Sequence, residues 1–131
     1  MADWEVFARS ELGVPIRHVG TVAADRPEDA DVFAWKLYDE WSWKEMFVVP
    51  RSELFTIHSG QPATLVRDGR QLVFGREGTG DLLLLGGLDQ DQGPIEAVAI
   101  DRYGDEWTQM TLIPESAIRW VTGPAAQTMR R

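Results

Sequence analysis

The residues able to do acid–base or metal chemistry are few, and their spacing limits that chemistry. His18 and His58 are the whole imidazole complement, in different segments, and neither a His-Glu-x-x-His helix nor a His-x-His ligand pair is present. His18 with a carboxylate such as Glu5 is the arrangement from which a cofactor-less acid and base could be assembled. The chain has no cysteine, which removes thiol nucleophiles, thiolate metal sites and iron–sulfur ligation. No Glu-x-x-His pair exists to help hold a di-iron centre, and no Gly-x-Ser-x-Gly elbow to carry a serine nucleophile. Asp89-Gln90-Asp91-Gln92-Gly93 fails as a calcium loop, because Pro94 stands where an EF-hand turns on glycine and Ile100 where it needs a carboxylate. Gly75-Arg76-Glu77-Gly78-Thr79-Gly80 opens no expected helix and matches no phosphate-binding spacing, so it reads as a turn. The expectation is a chain without catalytic residues, cofactor or metal.

Aromatic residues carry more information. Trp4, Trp35, Trp41, Trp43, Trp107 and Trp120 are six tryptophans among 131 residues, and such rings serve both as core fillers and as interface anchors. Trp41 and Trp43 lie two apart at the expected end of a helix and cannot share one helical face. At least one of the two is therefore a candidate for a partner surface. A cleft lined by Trp35, Trp41 and Trp107 would instead suit a free-standing module that binds a small molecule or peptide.

The elements that must position these groups follow from periodicity. Trp4-Glu5-Val6-Phe7-Ala8 alternates as a strand, and Leu12-Gly13-Val14-Pro15 turns it into a second alternating run over residues 16–22. Asp25-Arg26-Pro27-Glu28-Asp29 is a helix start, with proline and acids in the first turn. Ala30, Phe33, Ala34, Leu37, Tyr38 and Trp41 continue it at helical spacing. Met46-Phe47-Val48-Val49-Pro50 supplies a third strand. Residues 1–58 thus read as a β-β-α-β unit with one main helix on an antiparallel sheet, within an α+β fold. Looser patterning near Ser59-Gly60-Gln61-Pro62 marks a boundary.

Residues 59–123 read as a β-rich extension, either a small barrel or a continuation of the sheet. Asp68-Gly69 marks one hairpin, residues 82–85 a buried strand, and residues 95–100 and 107–113 a second hairpin about Tyr103-Gly104-Asp105. Residues 124–131 are expected to fray. No internal repeat is evident, although both halves end in an apolar strand, a proline and a turn containing serine and glutamate.

Composition narrows the partners. At 44% apolar and 26% charged residues the chain has the balance of a globular protein. Its net charge of −8 argues against nucleic acid, whose binders present basic surfaces. Neither a signal sequence nor a membrane-spanning run is evident, so a cytoplasmic location and no membrane partner are expected.

One segment resembles a known family. Trp4-Glu5-Val6-Phe7-Ala8-Arg9, a turn, Arg17-His18-Val19-Gly20-Thr21-Val22-Ala23-Ala24, an alanine-bearing helix with Tyr38, and Met46-Phe47-Val48-Val49-Pro50 with Ser52-Glu53 follow in that order. Over residues 1–57 this resembles the B subunit of bacterial phenylacetyl-CoA epoxygenase, a multicomponent oxygenase of phenylacetate degradation. Arg17-His18-Val19-Gly20 is the most specific element of the match. Thr21 stands where the family tends to have serine, the helix lacks the family's basic stretch, and residues beyond 59 have no counterpart. The resemblance implies a non-catalytic accessory subunit docking onto larger enzyme subunits, with a di-iron oxygenase as one candidate and homo-oligomerisation also open. Short proteins that accompany radical-SAM enzymes share a similar N-terminal pattern, so a different modifying enzyme is an alternative partner. The docking candidates are Arg17, His18 and Gly20, with Trp41 and Trp43 added by the aromatic argument.

Overall fold

A computed structural model describes residues 1–37, 43–57, 69–89, 95–104 and 106–122, without the side chains of residues 95–97 and 101. Along the chain the elements are β1 (Ala2–Arg9), β2 (Arg17–Ala24), α1 (Pro27–Leu37), β3 (Glu45–Pro50), β4 (Phe55–Ile57), β5 (Gln71–Arg76), β6 (Leu82–Leu88), α2 (Ile95–Tyr103), β7 (Gln109–Pro114) and β8 (Arg119–Thr122). Short 3₁₀ turns, Arg51–Glu53 and Glu115–Ala117, follow β3 and β7. Among the described residues the protein is α+β, mostly antiparallel sheet with two α-helices. Two compact units divide it: Met1–Glu53 with Ala117–Arg131, and Leu54–Ser116.

In the first unit the strand order is β2-β1-β3-β8, antiparallel throughout. Alternation along β1 sends Trp4, Val6 and Ala8 into a core with Val22, Ala24, Met46, Val48 and Val121, under α1. Pro27 opens α1 with Glu28 and Asp29 in its first turn, where a proline loses no hydrogen bond and acids face the positive end of the helix. Ala30 and Ala34, one turn apart, face this core with no exposure, and their small side chains let the helix lie close to the sheet. The Trp4 indole N–H donates to the Ala24 carbonyl at 3.3 Å.

The second unit has the order β4-β7-β5-β6, again antiparallel. Val73, Leu88, Ala99, Met110 and Leu112 form its core, with Phe55, Leu85, Val98, Tyr103 and Trp107 packed around them. One expectation changes here. Residues 95–100 belong to helix α2 and not to a strand; their β-branched and apolar types suit either state, and burial of Ala99 with Val98 and Tyr103 packed beside it settles the helix. Of the two alternatives expected for this half, a barrel or a run of sheet, the described residues show sheet strands carrying that helix. The proposed strand over residues 64–66, with Asp68, lies outside the described residues. Gly69, beside them, has a positive φ of 78°, as the expected turn requires.

The two units repeat one another, which overturns the expectation of no internal repeat. Each runs strand, strand, helix, strand, 3₁₀ turn. Val6-Phe7-Ala8-Arg9 in β1 matches Val73-Phe74-Gly75-Arg76 in β5. Met46, Val48, Val49, Pro50 and Ser52 match Met110, Leu112, Ile113, Pro114 and Ser116. The same bulge occurs at the same place: Val6 pairs with Gly20 and Phe7 with His18, skipping Val19, while Val73 pairs with Gly86 and Phe74 with Leu84, skipping Leu85. Lys44 N–H donates to the Arg9 carbonyl at 2.9 Å, and Thr108 N–H to the Arg76 carbonyl at 2.8 Å. Even an ion pair recurs with its signs reversed: Asp3 with Arg51 at 2.8 Å, Arg70 with Glu115 at 3.2 Å.

The fourth strand of each unit comes from the other half of the chain. β8 pairs with β3, and β4 pairs with β7. Registers agree, since Val48 faces Arg119 and Phe47 faces Trp120, as Leu112 faces Phe55 and Thr111 faces Thr56. This is why residues 117–122 belong with the N-terminal unit.

Candidate functional site

The polar constellation of the first unit lies on the face of its sheet opposite α1, and strand parity explains how it assembles. Glu5 stands between Trp4 and Val6, so its side chain leaves the core face. Thr21 is directly opposite on β2. His18 is three residues from Thr21 and in a regular strand would point to the other face. Skipping Val19 at the bulge reverses that parity and brings His18 onto the face of Glu5.

The result is a carboxylate with three donors. His18 Nε2 lies 2.5 Å from Glu5 Oε2, the Thr21 hydroxyl donates to Glu5 Oε1 at 2.9 Å, and Arg51 Nε donates to the same oxygen at 3.0 Å. Arg51 arrives from the 3₁₀ turn after Pro50 and also reaches Asp3. Glu5 is 6% exposed. Burial alone would push its carboxyl up, but hydrogen bonds from His18, Thr21 and Arg51, with the charge of His18, outweigh it and hold the group lowered to about 2. A carboxylate held there is a weak base near neutrality and is placed to hold the imidazole in position. The His18 ring also lies 5.1 Å from that of Phe7.

The other anticipated residues separate. Arg17 places its guanidinium 6.0 Å from the Trp43 ring centroid, a cation–π distance. Gly20 occupies the position after the bulge. Trp43 is 8% exposed and part of the core, so it offers a partner little surface. Trp41 and His58 lie outside the described residues. Trp35 is 45% exposed on the first unit, whereas Trp107 packs in the second unit's core with its indole N–H on the Tyr103 carbonyl. Among the described residues no group of three or more metal-ligating side chains comes together. No described helix is long and apolar enough to cross a membrane. The turn after β5 has Gly78 at a φ of 58° and a Gly80 N–H on the Glu77 carbonyl.

Sequence reasoning paired His18 with Glu5 but missed Thr21 and Arg51. Thr21 was legible, being two residues from Val19 and opposite Glu5 in any hairpin of this register. Arg51 was not, since it depends on where the turn after Pro50 points. An Arg9–Glu45 ion pair closes the far end of the same face, with Arg9 also donating to the Leu12 and Val14 carbonyls.

The second unit serves as an internal reference for what this fold needs. Leu72, Leu84 and Gly87 stand at the positions of Glu5, His18 and Thr21, and Leu83 at that of Arg17. Gly86 repeats Gly20. The bulge and its glycine therefore belong to the architecture, and so does the ion pair between positions 3 and 51. The Glu5–His18–Thr21 cluster and Arg17 do not, because the same backbone is built with three leucines and a glycine in the second unit. No family model, curated protein or solved structure matches the chain.

Proposed function

We propose that this chain is a non-catalytic accessory subunit that docks onto a larger, multicomponent oxygenase-type enzyme. The observation that carries the reading is the contrast between equivalent strands: Arg17-His18-Val19-Gly20 in the first unit, Leu83-Leu84-Leu85-Gly86 in the second. Glycine and bulge are common to both, whereas the two cationic or hydrogen-bonding side chains are present in one. Burying Glu5 beneath an imidazole costs desolvation that a leucine pair avoids, so retaining it in one unit points to recognition. The resemblance of residues 1–57 to the epoxygenase B subunit supplies the class of partner.

The test is affinity purification of the full chain from its native host, with mass spectrometry, repeated for an Arg17→Leu, His18→Leu, Glu5→Leu variant that copies the second unit. The reading expects a larger enzyme to accompany the unaltered chain, and the variant to stay folded by circular dichroism but lose that enzyme. A chain that is always alone, with neighbouring enzymes fully active after its deletion, would refute it.

A further inference from the structure

The turn between β1 and β2 is built differently from its counterpart between β5 and β6. Arg9 and the buried Ile16 bracket the first, as Arg76 and the buried Leu82 bracket the second. Residues 10–15 then place Leu12 at 60% and Val14 at 40% exposure on either side of Gly13. Residues 77–81 are Glu77, Gly78, Thr79, Gly80 and Asp81, a turn without a large apolar side chain. A Cβ added at Gly13 would meet nothing within 4 Å, so the tip between Leu12 and Val14 is open. Exposed apolar residues are ordinary in themselves.

What sets this pair apart is how it is held. Arg9 Nη1 donates to the Leu12 carbonyl at 2.9 Å and to the Val14 carbonyl at 3.3 Å, and the Val14 N–H donates to the Glu11 carbonyl at 3.3 Å. Arg9 is fixed in turn by the buried Glu45, whose Oε1 accepts from Nε at 3.0 Å and also from Nη2. In the second unit Gln109 stands in the place of Glu45. Its amide donates to the Thr111 hydroxyl at 3.2 Å, and Arg76 Nε has no hydrogen-bond partner. The lock and the apolar pair occur together in one turn and are both missing from the other. A turn ordered before it binds loses less conformational freedom on docking, which gives the lock a purpose at a recognition surface. Position and charge define the partner. The turn runs through Pro15 and Ile16 directly into Arg17-His18, so it continues the docking strand, and the exposed Glu11 adjoins Leu12. A convex apolar turn with an acid at its side complements a pocket with an apolar floor and a basic rim.

We propose that Leu12 and Val14 form an apolar anchor of the docking surface, preorganised by Arg9 and Glu45. The anchor seats in an apolar pocket of the larger enzyme, with a lysine or arginine of that enzyme at the rim opposite Glu11. Arg9 and Glu45 are positioning residues that act through the turn. This rests on the accessory-subunit reading and deepens it by naming the chemistry of the partner's surface.

The test expresses the full chain in its native host with a photoreactive side chain beside the anchor, Glu11→p-benzoylphenylalanine, and separately in the matched turn, Thr79→p-benzoylphenylalanine. Mass spectrometry then reads the residues joined by light. Position 11 should join one larger enzyme at the border of an apolar pocket that carries a lysine or arginine, and position 79 should not. The double change Leu12→Ser and Val14→Ser should lower recovery of that enzyme at least tenfold, with near-ultraviolet circular dichroism unchanged. Glu45→Gln, which copies Gln109, should speed amide hydrogen exchange over residues 10–15 and weaken recovery with both apolar side chains in place. Equal joining from positions 11 and 79, or joining from position 11 only to a second copy of this chain, overturns the proposal. Full recovery by the double serine variant overturns it too, and leaves the accessory reading standing. Unchanged exchange or unchanged recovery in Glu45→Gln overturns the preorganisation. A chain without any enzyme partner removes the accessory reading and this anchor with it.

Discussion

Replacing Glu5 by glutamine leaves its shape and removes its charge, which makes acid stability a direct measure of the cluster. The carboxyl is lowered from 4.5 to about 2, so the folded protein binds its proton more weakly than the unfolded chain. The stability this confers is fully present above about pH 4.5 and drains away as pH falls towards 2. At about 1.4 kcal/mol per pH unit the contribution is of the order of 3 kcal/mol, a large part of the roughly 5–15 kcal/mol that holds an ordinary domain together. Urea unfolding followed by tryptophan fluorescence at pH 7, 4 and 2.5 should therefore show the unaltered chain losing stability more steeply than Glu5→Gln, with the two curves converging at the acid end. Removing His18 as well should cost less than the two single changes added together, because each single change strands a partner. Parallel loss of stability in the two proteins from pH 5 to 2.5 would refute the reasoning that the donors around Glu5 outweigh its burial.

Strand exchange between the sequence halves makes a second expectation: a chain nicked by protease within residues 58–68 should stay a single species on native gel filtration, and separate into two fragments only in denaturant. At Gly86, an added Cβ would meet the Tyr103 hydroxyl, which donates to the Gly87 carbonyl at 2.8 Å; Gly86→Ala should lower stability by about 1–3 kcal/mol in urea. Gly75 faces the same problem, since a Cβ there would lie 2.8 Å from Leu85 and the Trp107 ring. Gly75→Ala should cost about 1–3 kcal/mol by forcing that ring aside, and a change in near-ultraviolet circular dichroism should accompany it.

What could be read from the sequence was what depends on neighbours along the chain. The hairpin of β1 and β2 follows from alternation and the Leu12-Gly13-Val14-Pro15 turn, and α1 follows from its proline, acids and alanine spacing. The His18–Glu5 pairing was reachable as a combination of residue types. Its geometry was not, because the bulge at Val19 decides which face His18 takes, and a bulge leaves no periodic signature. Trp43 shows the reverse case. Two tryptophans near a helix end suggested a surface, yet Trp43 packs in the core of the first unit, a matter of tertiary packing rather than spacing.

The duplication was hidden for a related reason. The second unit keeps the positions that the fold uses, Val73, Phe74, Arg76, Gly86, Met110 and Pro114, and replaces what the fold tolerates. Its helix carries Val98, Ala99 and Ile100 where α1 has alanines spaced by a turn, so the helix signal is masked as strand while the strands around it remain legible. Each strand after a 3₁₀ turn then pairs in the unit that the other half begins, so a division of the sequence near residue 58 separates strands from their sheets. That exchange makes the leucine-for-histidine and leucine-for-glutamate differences interpretable: they occur at matched places in matched scaffolds within one molecule. A polar cluster in an isolated fold can always be ascribed to folding. Here the fold has been built twice, and only one copy carries the Glu5–His18–Thr21 cluster.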